Sequence, residues 1–220
     1  MPTQLPLDLG HRPALAREDF LVAPPNAAAV AWIDRWPDWP RRALVLYGPP
    51  GSGKSHLVSV WRARSDARLV TGSELAARGP DALAAGAAAV VVEDADRIAD
   101  PVPLLHLYNI LAAAGVHVLV TTREPPARWP GALPDLVSRL AAADTVALGL
   151  PDDALIAAVL AKLFADRQLA VEPEVLSYLV ARIERSFEAA RTAVARLDAA
   201  ALAARRGITI ALVREVLPSL

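Results

Sequence analysis

Gly48-Pro49-Pro50-Gly51-Ser52-Gly53-Lys54-Ser55 follows the apolar run Ala43-Leu44-Val45-Leu46-Tyr47 and fits the spacing G-x-x-x-x-G-K-[ST] at every constrained position. In that pattern the glycines let backbone N–H groups turn inward around phosphates. The lysine sets an ammonium near the β and γ oxygens, and the hydroxyl at a helix N-terminus faces Mg²⁺. Pro50, Gly51, Ser52, Gly53, Lys54, Ser55 and the adjoining His56 are therefore the expected cradle for ATP or ADP with Mg²⁺, and Ser55 is the expected metal contact. The chain has only two lysines, Lys54 and Lys162. A lysine kept here, where positive charge is otherwise carried by arginine, points to a need for the compact ammonium.

Outward from this loop, β-rich runs recur at Arg68-Leu69-Val70-Thr71, Ala88 to Val92, Val116 to Val120 and Thr145 to Leu148. Helical patterns lie between them, as at Ser55 to Arg64 and Pro103 to Ala114. Alternation of this kind predicts an α/β fold: a parallel five-stranded sheet with helices on both faces, over residues 14–150. A short extended segment, Phe20-Leu21-Val22, precedes Asn26, which is read as the cap of a first helix over Ala27 to Trp36. After Pro151 the strand signals stop. Residues 151–220 are expected to form a small all-helical domain, with a cap at Asp152 or Asp153, Pro173 opening a second helix, Ser186 capping a third that Gly207 ends, and Thr209 capping the last. Residues 1–13 show no period and are read as a flexible, partly extended tail.

With 54% hydrophobic and 21% charged residues the composition is that of a folded globular chain. No cysteine occurs, which excludes disulfides and thiolate metal sites and fits a reducing compartment. No apolar run reaches the ~20 residues of a membrane span, so a cytoplasmic protein without membrane contact is expected. A net charge of −1 advertises no broad grip on nucleic acid.

Val90-Val91-Val92-Glu93-Asp94 brings two acids to a strand end, where a phosphate-loop ATPase needs one carboxylate to hold Mg²⁺ through water and another to orient the attacking water. Glu93 and Asp94 are the candidates, with Glu93 as the water-mediated metal contact; two solvated acids are the structural alternative. Val118-Leu119-Val120-Thr121-Thr122-Arg123 aims polar groups at the same crevice, since ligands of open α/β sheets sit beyond the carboxyl ends of the strands. Thr121 or Thr122, of which Thr122 is the preferred candidate, would sense the γ-phosphate or simply cap the strand.

These segments occur in one order with Leu133-Pro134-Asp135-Leu136-Val137-Ser138-Arg139-Leu140 and Gly207-Ile208-Thr209-Ile210-Ala211-Leu212-Val213-Arg214-Glu215-Val216-Leu217. Together they resemble the AAA+ ATPase domain of the bacterial replication initiator DnaA, from Phe20 to the end. The layout, without the initiator's DNA-reading domain and separate N-terminal domain, is similar to the Hda family of DnaA-related regulators. The opening Gln4-Leu5-Pro6-Leu7-Asp8-Leu9 resembles the peptide by which partners enter the DNA polymerase III sliding clamp, with Gln4, Leu5, Leu7 and Leu9 as contacts. Its physics suits the task, because a free terminal segment can bury leucines in a partner's pocket.

The resemblance implies that Arg139 is an arginine finger acting in trans on ATP held by a neighbouring subunit, DnaA itself, and that Val22 and Asn26 close over the adenine. It implies negative regulation of replication initiation at the replisome, tethered to the clamp's β subunit, with DNA reached through the clamp and a homo-oligomer as a further possibility. Two departures stand out. The arginine that relatives place on the third lid helix aligns with Glu188, leaving Arg191 one turn later as its substitute, and Arg123 stands where many relatives carry an acid. Both predict weak intrinsic hydrolysis and a diphosphate-bound working form. A helicase-loader-like ATPase on single-stranded DNA and a non-catalytic clamp adaptor are the rival readings.

Overall fold

The computed structural model describes residues 21–129 and 133–217. The tail residues Gln4, Leu5, Leu7 and Leu9 lie outside the described residues.

Five strands, β1 (Ala43–Tyr47), β2 (Arg68–Val70), β3 (Ala89–Val92), β4 (His117–Thr122) and β5 (Asp144–Ala147), form one parallel sheet in the order β2-β3-β4-β1-β5. The central strands read as continuous apolar runs because both faces are covered. Alternation along the strands sorts the side chains. Leu44, Leu46, Val91 and Leu119 point to a core shared with α1 (Ala27–Arg35) and α2 (Lys54–Ser65). Val45, Val90, Val92, Val118 and Val120 point to the opposite core, under α3 (Gly72–Arg78), α4 (Pro80–Ala84), α5 (Val102–Ala113) and α6 (Pro134–Ala142). Helices α7 (Asp153–Ala165), α8 (Pro173–Val180), α9 (Phe187–Ala204) and α10 (Ile210–Val216) enclose a separate apolar core around Leu160, Phe164, Leu179, Val194, Leu197 and Leu212.

Three helices, α3, α4 and α6, were not read from the sequence. The first has a complete capping box, Thr71 accepting from Glu74 N–H while Glu74 accepts from Thr71 N–H. The second starts at Pro80, directly after the turn at Gly79. The expected caps at Asp152, Ser186 and Thr209 are present, each side chain accepting from the backbone N–H three residues on. Two expectations change. Helix α9 ends before Gly207, at Arg205, which adopts a left-handed conformation (φ 49°). Asn26 occupies the N-cap position of α1 but makes no capping bond. Its amide instead accepts from Ala23 N–H and donates to the Leu21 carbonyl, bracing the chain on either side of Val22.

An aromatic cluster ties α1 and α2 to the sheet. Trp61 is fully buried, stacked on Trp39 at 5.2 Å and edge-on to Trp36 at 6.1 Å. Trp39 in turn donates its indole N–H to the Trp32 carbonyl at 2.7 Å. Replacing Trp61 by alanine removes the largest fully buried side chain of this core, and we expect a loss of about 3–5 kcal/mol of unfolding free energy by denaturant titration; a loss under ~1 kcal/mol would mean that the cluster does not organise α1 and α2.

Candidate functional site

The loop after β1 begins beside β4, where Gly48 N–H donates to the Thr122 carbonyl at 3.2 Å, and turns directly into α2. Gly51 and Gly53 have φ of 78° and 99°, backbone conformations that side chains other than glycine's rarely accept. Space is short there as well. A Cβ on Gly51 would lie 2.6 Å from Ser186 Cβ, and one on Gly53 would lie 2.9 Å from the Phe187 ring. The N-terminus of α9 therefore rests directly on the loop, and the lid closes one side of the cleft.

Lys54 is largely buried as a residue, and its ammonium, at the edge of the cleft, donates to the Gly48 and Pro49 carbonyls at 2.6 and 3.0 Å. Burial pushes its pKa below the ordinary 10.5, opposed chiefly by Asp94, while the guanidinium of Arg123 adds to the depression. An ammonium kept in this position against its own desolvation is poised for an anion. Ser52 is buried, its hydroxyl without a hydrogen-bond partner among the described residues, and Ser55 stands exposed at the first turn of α2. Loop, lysine and helix start together make a cradle that fits a nucleotide's phosphates and its Mg²⁺.

The cleft above the loop, about 280 Å³, gathers Pro50, Gly51, Gly53, Lys54, Ser55 and His56 from the core. Asp94 and Arg123 line it from the strand ends, and Phe187, Glu188 and Arg191 from the lid. Glu188 and Arg191, the two residues at issue in the lid, are an ion pair at 3.0 Å. The acids at the end of β3 separate. Asp94, at φ 49°, faces the cleft, whereas Glu93 is half-buried, does not line it, and acts on Lys54 less strongly than Asp94. The threonines separate as well. Thr121 accepts from Asp94 N–H at 3.1 Å, and the fully buried Thr122 donates its hydroxyl to the Glu124 carbonyl at 2.6 Å, inside the β4–α6 connection. Val22 is an exposed aliphatic residue held out by the Asn26 brace, near the backbone bond from Gly149 N–H to the Pro25 carbonyl. Arg139 is exposed on the last turn of α6 and does not line the cleft.

Three residues that line the cleft, Arg123, Phe187 and Glu188, were not among the candidate site residues, Arg123 and Glu188 having been noted only as departures from relatives. Arg123 had a readable signal, its place just past a central strand's carboxyl end. Phe187 had none, since its part depends on how the lid packs.

Residues 152–217 match the family model described as "Hda, lid domain". No curated protein sequence matches the chain. Among solved structures, domain III of the Thermotoga maritima replication initiation protein DnaA superposes with a TM-score of 0.79 at 18% identity, covering 94% of this chain and 96% of that one. The AMPPCP-bound DnaA of Aquifex aeolicus gives 0.72 at 16% identity over 84% of this chain and 65% of that one, so the chain spans just under two thirds of that initiator. A RuvB variant from Thermotoga maritima gives 0.64 at 14% identity over 81% of this chain and 62% of that one. Residues 152–217 match the Hda lid, and the chain as a whole has the fold of DnaA domain III. In the AAA+ frame the helical domain is the lid, and the identities of 14–18% speak to the fold alone. No helix among the described residues is long and apolar enough to cross a membrane.

The depressed pKa of Lys54 has a testable sign. Between its folded value and 10.5 the unfolded chain binds more protons, so the nucleotide-free protein gains stability as pH rises through that window and loses it as pH falls. Lys54→Met should flatten that rise, leave the nucleotide-free melting temperature unchanged or higher, and remove binding of a fluorescent ADP analogue. A fall in melting temperature of more than ~4 °C would show that the ammonium stabilises the empty fold instead.

Proposed function

We propose that this AAA+ protein is a negative regulator of replication initiation: loaded with its own nucleotide and tethered to the sliding clamp, it supplies Arg139 to ATP held by DnaA and provokes its hydrolysis. The observation that carries this reading is an Hda-type lid closed on an intact phosphate loop. Arg139 supports it, because its guanidinium is exposed and has no hydrogen-bond or ion-pair partner among the described residues. Burial raises the pKa of Tyr108, while Arg139 and Arg41 each favour its ionisation.

The chain's own residues divide the work. Lys54 and the backbone N–H groups of residues 51–55 hold phosphates, Ser55 and the acids Glu93 and Asp94 hold Mg²⁺ directly or through water, and Val22 with the braced Asn26 segment covers the base. Bound Mg²⁺ would neutralise phosphate charge. Glu188 in the lid, tied to Arg191, opposes charge build-up at this site, so intrinsic turnover is slow and the diphosphate form serves as the working state. Arg139 acts elsewhere, on a second protein's nucleotide, where a guanidinium in a dry interface stabilises the charge developing on the transferred phosphoryl group. The tail from Gln4 to Leu9 raises the local concentration of the finger near replicating DNA by holding the chain on the clamp.

Turnover of DnaA-bound ATP, measured with DNA-loaded clamp and with or without this protein, tests the reading. Stimulation is expected, and Arg139→Ala should return the rate to that of DnaA alone, a loss of ~10³-fold or more where the finger is fully engaged. Undiminished stimulation by Arg139→Ala removes the finger assignment. Alanine at Gln4 and Leu7 should abolish co-elution with the clamp while leaving nucleotide binding intact, and retained co-elution removes the tether.

A further inference from the structure

The lid reaches the phosphate loop through one turn, residues 181–186, which joins α8 to α9. Its last residue, Ser186, meets Gly51, and the Phe187 ring that follows meets Gly53. Most of what holds this turn is local. Ile183 is buried in the lid core, Ser186 N–H donates to the Glu184 carbonyl at 2.7 Å, and the Ser186 hydroxyl caps its own helix. Arg185 reaches further. Its Nε and Nη2 donate to Asp153 Oδ1 and Oδ2 at 2.7 and 3.3 Å, so both prongs of the guanidinium grip one carboxylate at the first residue of α7. Among the described residues this is the one hydrogen-bonded tie from the turn to an element other than α8 and α9.

Asp153 stands just after the chain leaves the sheet. There Leu148 N–H donates to the Tyr47 carbonyl at 2.7 Å and Gly149 N–H to the Pro25 carbonyl at 2.9 Å, and Tyr47 is also the residue that opens onto the phosphate loop. The contacts therefore close a circuit. It runs from the loop through Tyr47 and Leu148 to the start of α7, across the Asp153–Arg185 pair to Ser186, and back onto Gly51. Both side chains of the pair are more than half exposed, which opens it to screening by salt. The bond from Arg185 holds the Asp153 carboxyl below its ordinary range, so the pair stays charged around neutral pH and ionic strength is what loosens it.

We propose that Arg185 and Asp153 are positioning residues of the nucleotide site: the pair keeps Ser186 and Phe187 on the phosphate loop and thereby slows release of bound nucleotide, in a salt-dependent way. The proposal rests on the nucleotide reading above and concerns retention, so it holds for the diphosphate-bound form. Neither residue lines the cleft, and both act through the start of α9. A two-pronged arginine–carboxylate bridge fixes geometry as well as adding attraction, which gives an exposed pair its effect at this one place.

Release of a fluorescent ADP analogue from the full chain, chased with excess ADP in a stopped-flow instrument, tests it. In about 0.02 M salt Arg185→Gln and Asp153→Asn should each speed release two- to fivefold, roughly the range of a well-formed exposed pair, and the gap to the unaltered chain should close towards about 0.5 M. The double variant should release no faster than either single one, because the same interaction is lost in all three. Arg206→Gln, which breaks a similarly exposed lid pair with Glu215 at the other end of α9, should leave the rate unchanged. Thermal melts check that each variant is folded. Unchanged release in both single variants, additive effects in the double variant, a gap indifferent to salt, or equal speeding by Arg206→Gln overturns the assignment. Failure of the unaltered chain to bind the analogue overturns the nucleotide reading itself and this inference with it.

Discussion

The arrangement depends on two missing side chains. Gly51 and Gly53 leave room for Ser186 Cβ and the Phe187 ring at 2.6 and 2.9 Å from where their own Cβ atoms would stand. One constraint thus serves two ends. The loop can turn its N–H groups inward only with left-handed glycines, and the lid can sit on the loop only because those glycines carry nothing outward. The domain that closes the cleft is held by the residues that build its floor, and a change in the loop's conformation must displace the start of α9. Ser186 sits at that contact as the helix cap, so a shift there also loosens the first turn of α9.

Charge gives the cleft its polarity. An ammonium partly removed from water is costly, and here it is stabilised by two carbonyls and by acids at the ends of β3 rather than by a direct ion pair. That leaves Lys54 available. Glu188 engages Arg191 within one turn of α9, so the lid contributes almost no net charge at its contact with the loop. Excess positive charge then comes from the core, through Lys54 and Arg123, and the lid contributes closure and packing. A cleft of this polarity is suited to holding an anion.

Most of the frame was legible in the sequence because periodicity and punctuation carry it. The apolar runs at 43–47 and 89–92 read as buried parallel strands, and Asp152, Ser186 and Thr209 read as caps, because local hydrogen bonding decides those features. Helices α3, α4 and α6 escaped notice, two of them opening on proline and all of them nine residues or shorter, too short for a clear period. Asn26 shows the limit of residue-type reasoning. It has the right identity and position for a cap, yet its amide is used to brace residues 21–23, a choice made by the tertiary path of the preceding chain. Likewise the order of Glu93 and Asp94 was visible, but which of them faces the cleft follows from the left-handed turn at Asp94.

A single connection carries both Arg123 and Arg139. β4 ends at Thr122, Arg123 enters the cleft, and the chain then passes through Glu124 into α6, which presents Arg139 on the outer surface. Bonds from the Thr122 hydroxyl and the Trp129 indole converge on the Glu124 carbonyl, stiffening the start of this connection. At the far end, Arg41 donates to the Ala142 carbonyl and fastens the last turn of α6 to the residues just before β1. The inward and outward guanidiniums are thus anchored to neighbouring central strands and cannot exchange places. The cation that faces the cleft and the cation that faces outward are therefore separate groups, and neither can take the other's position.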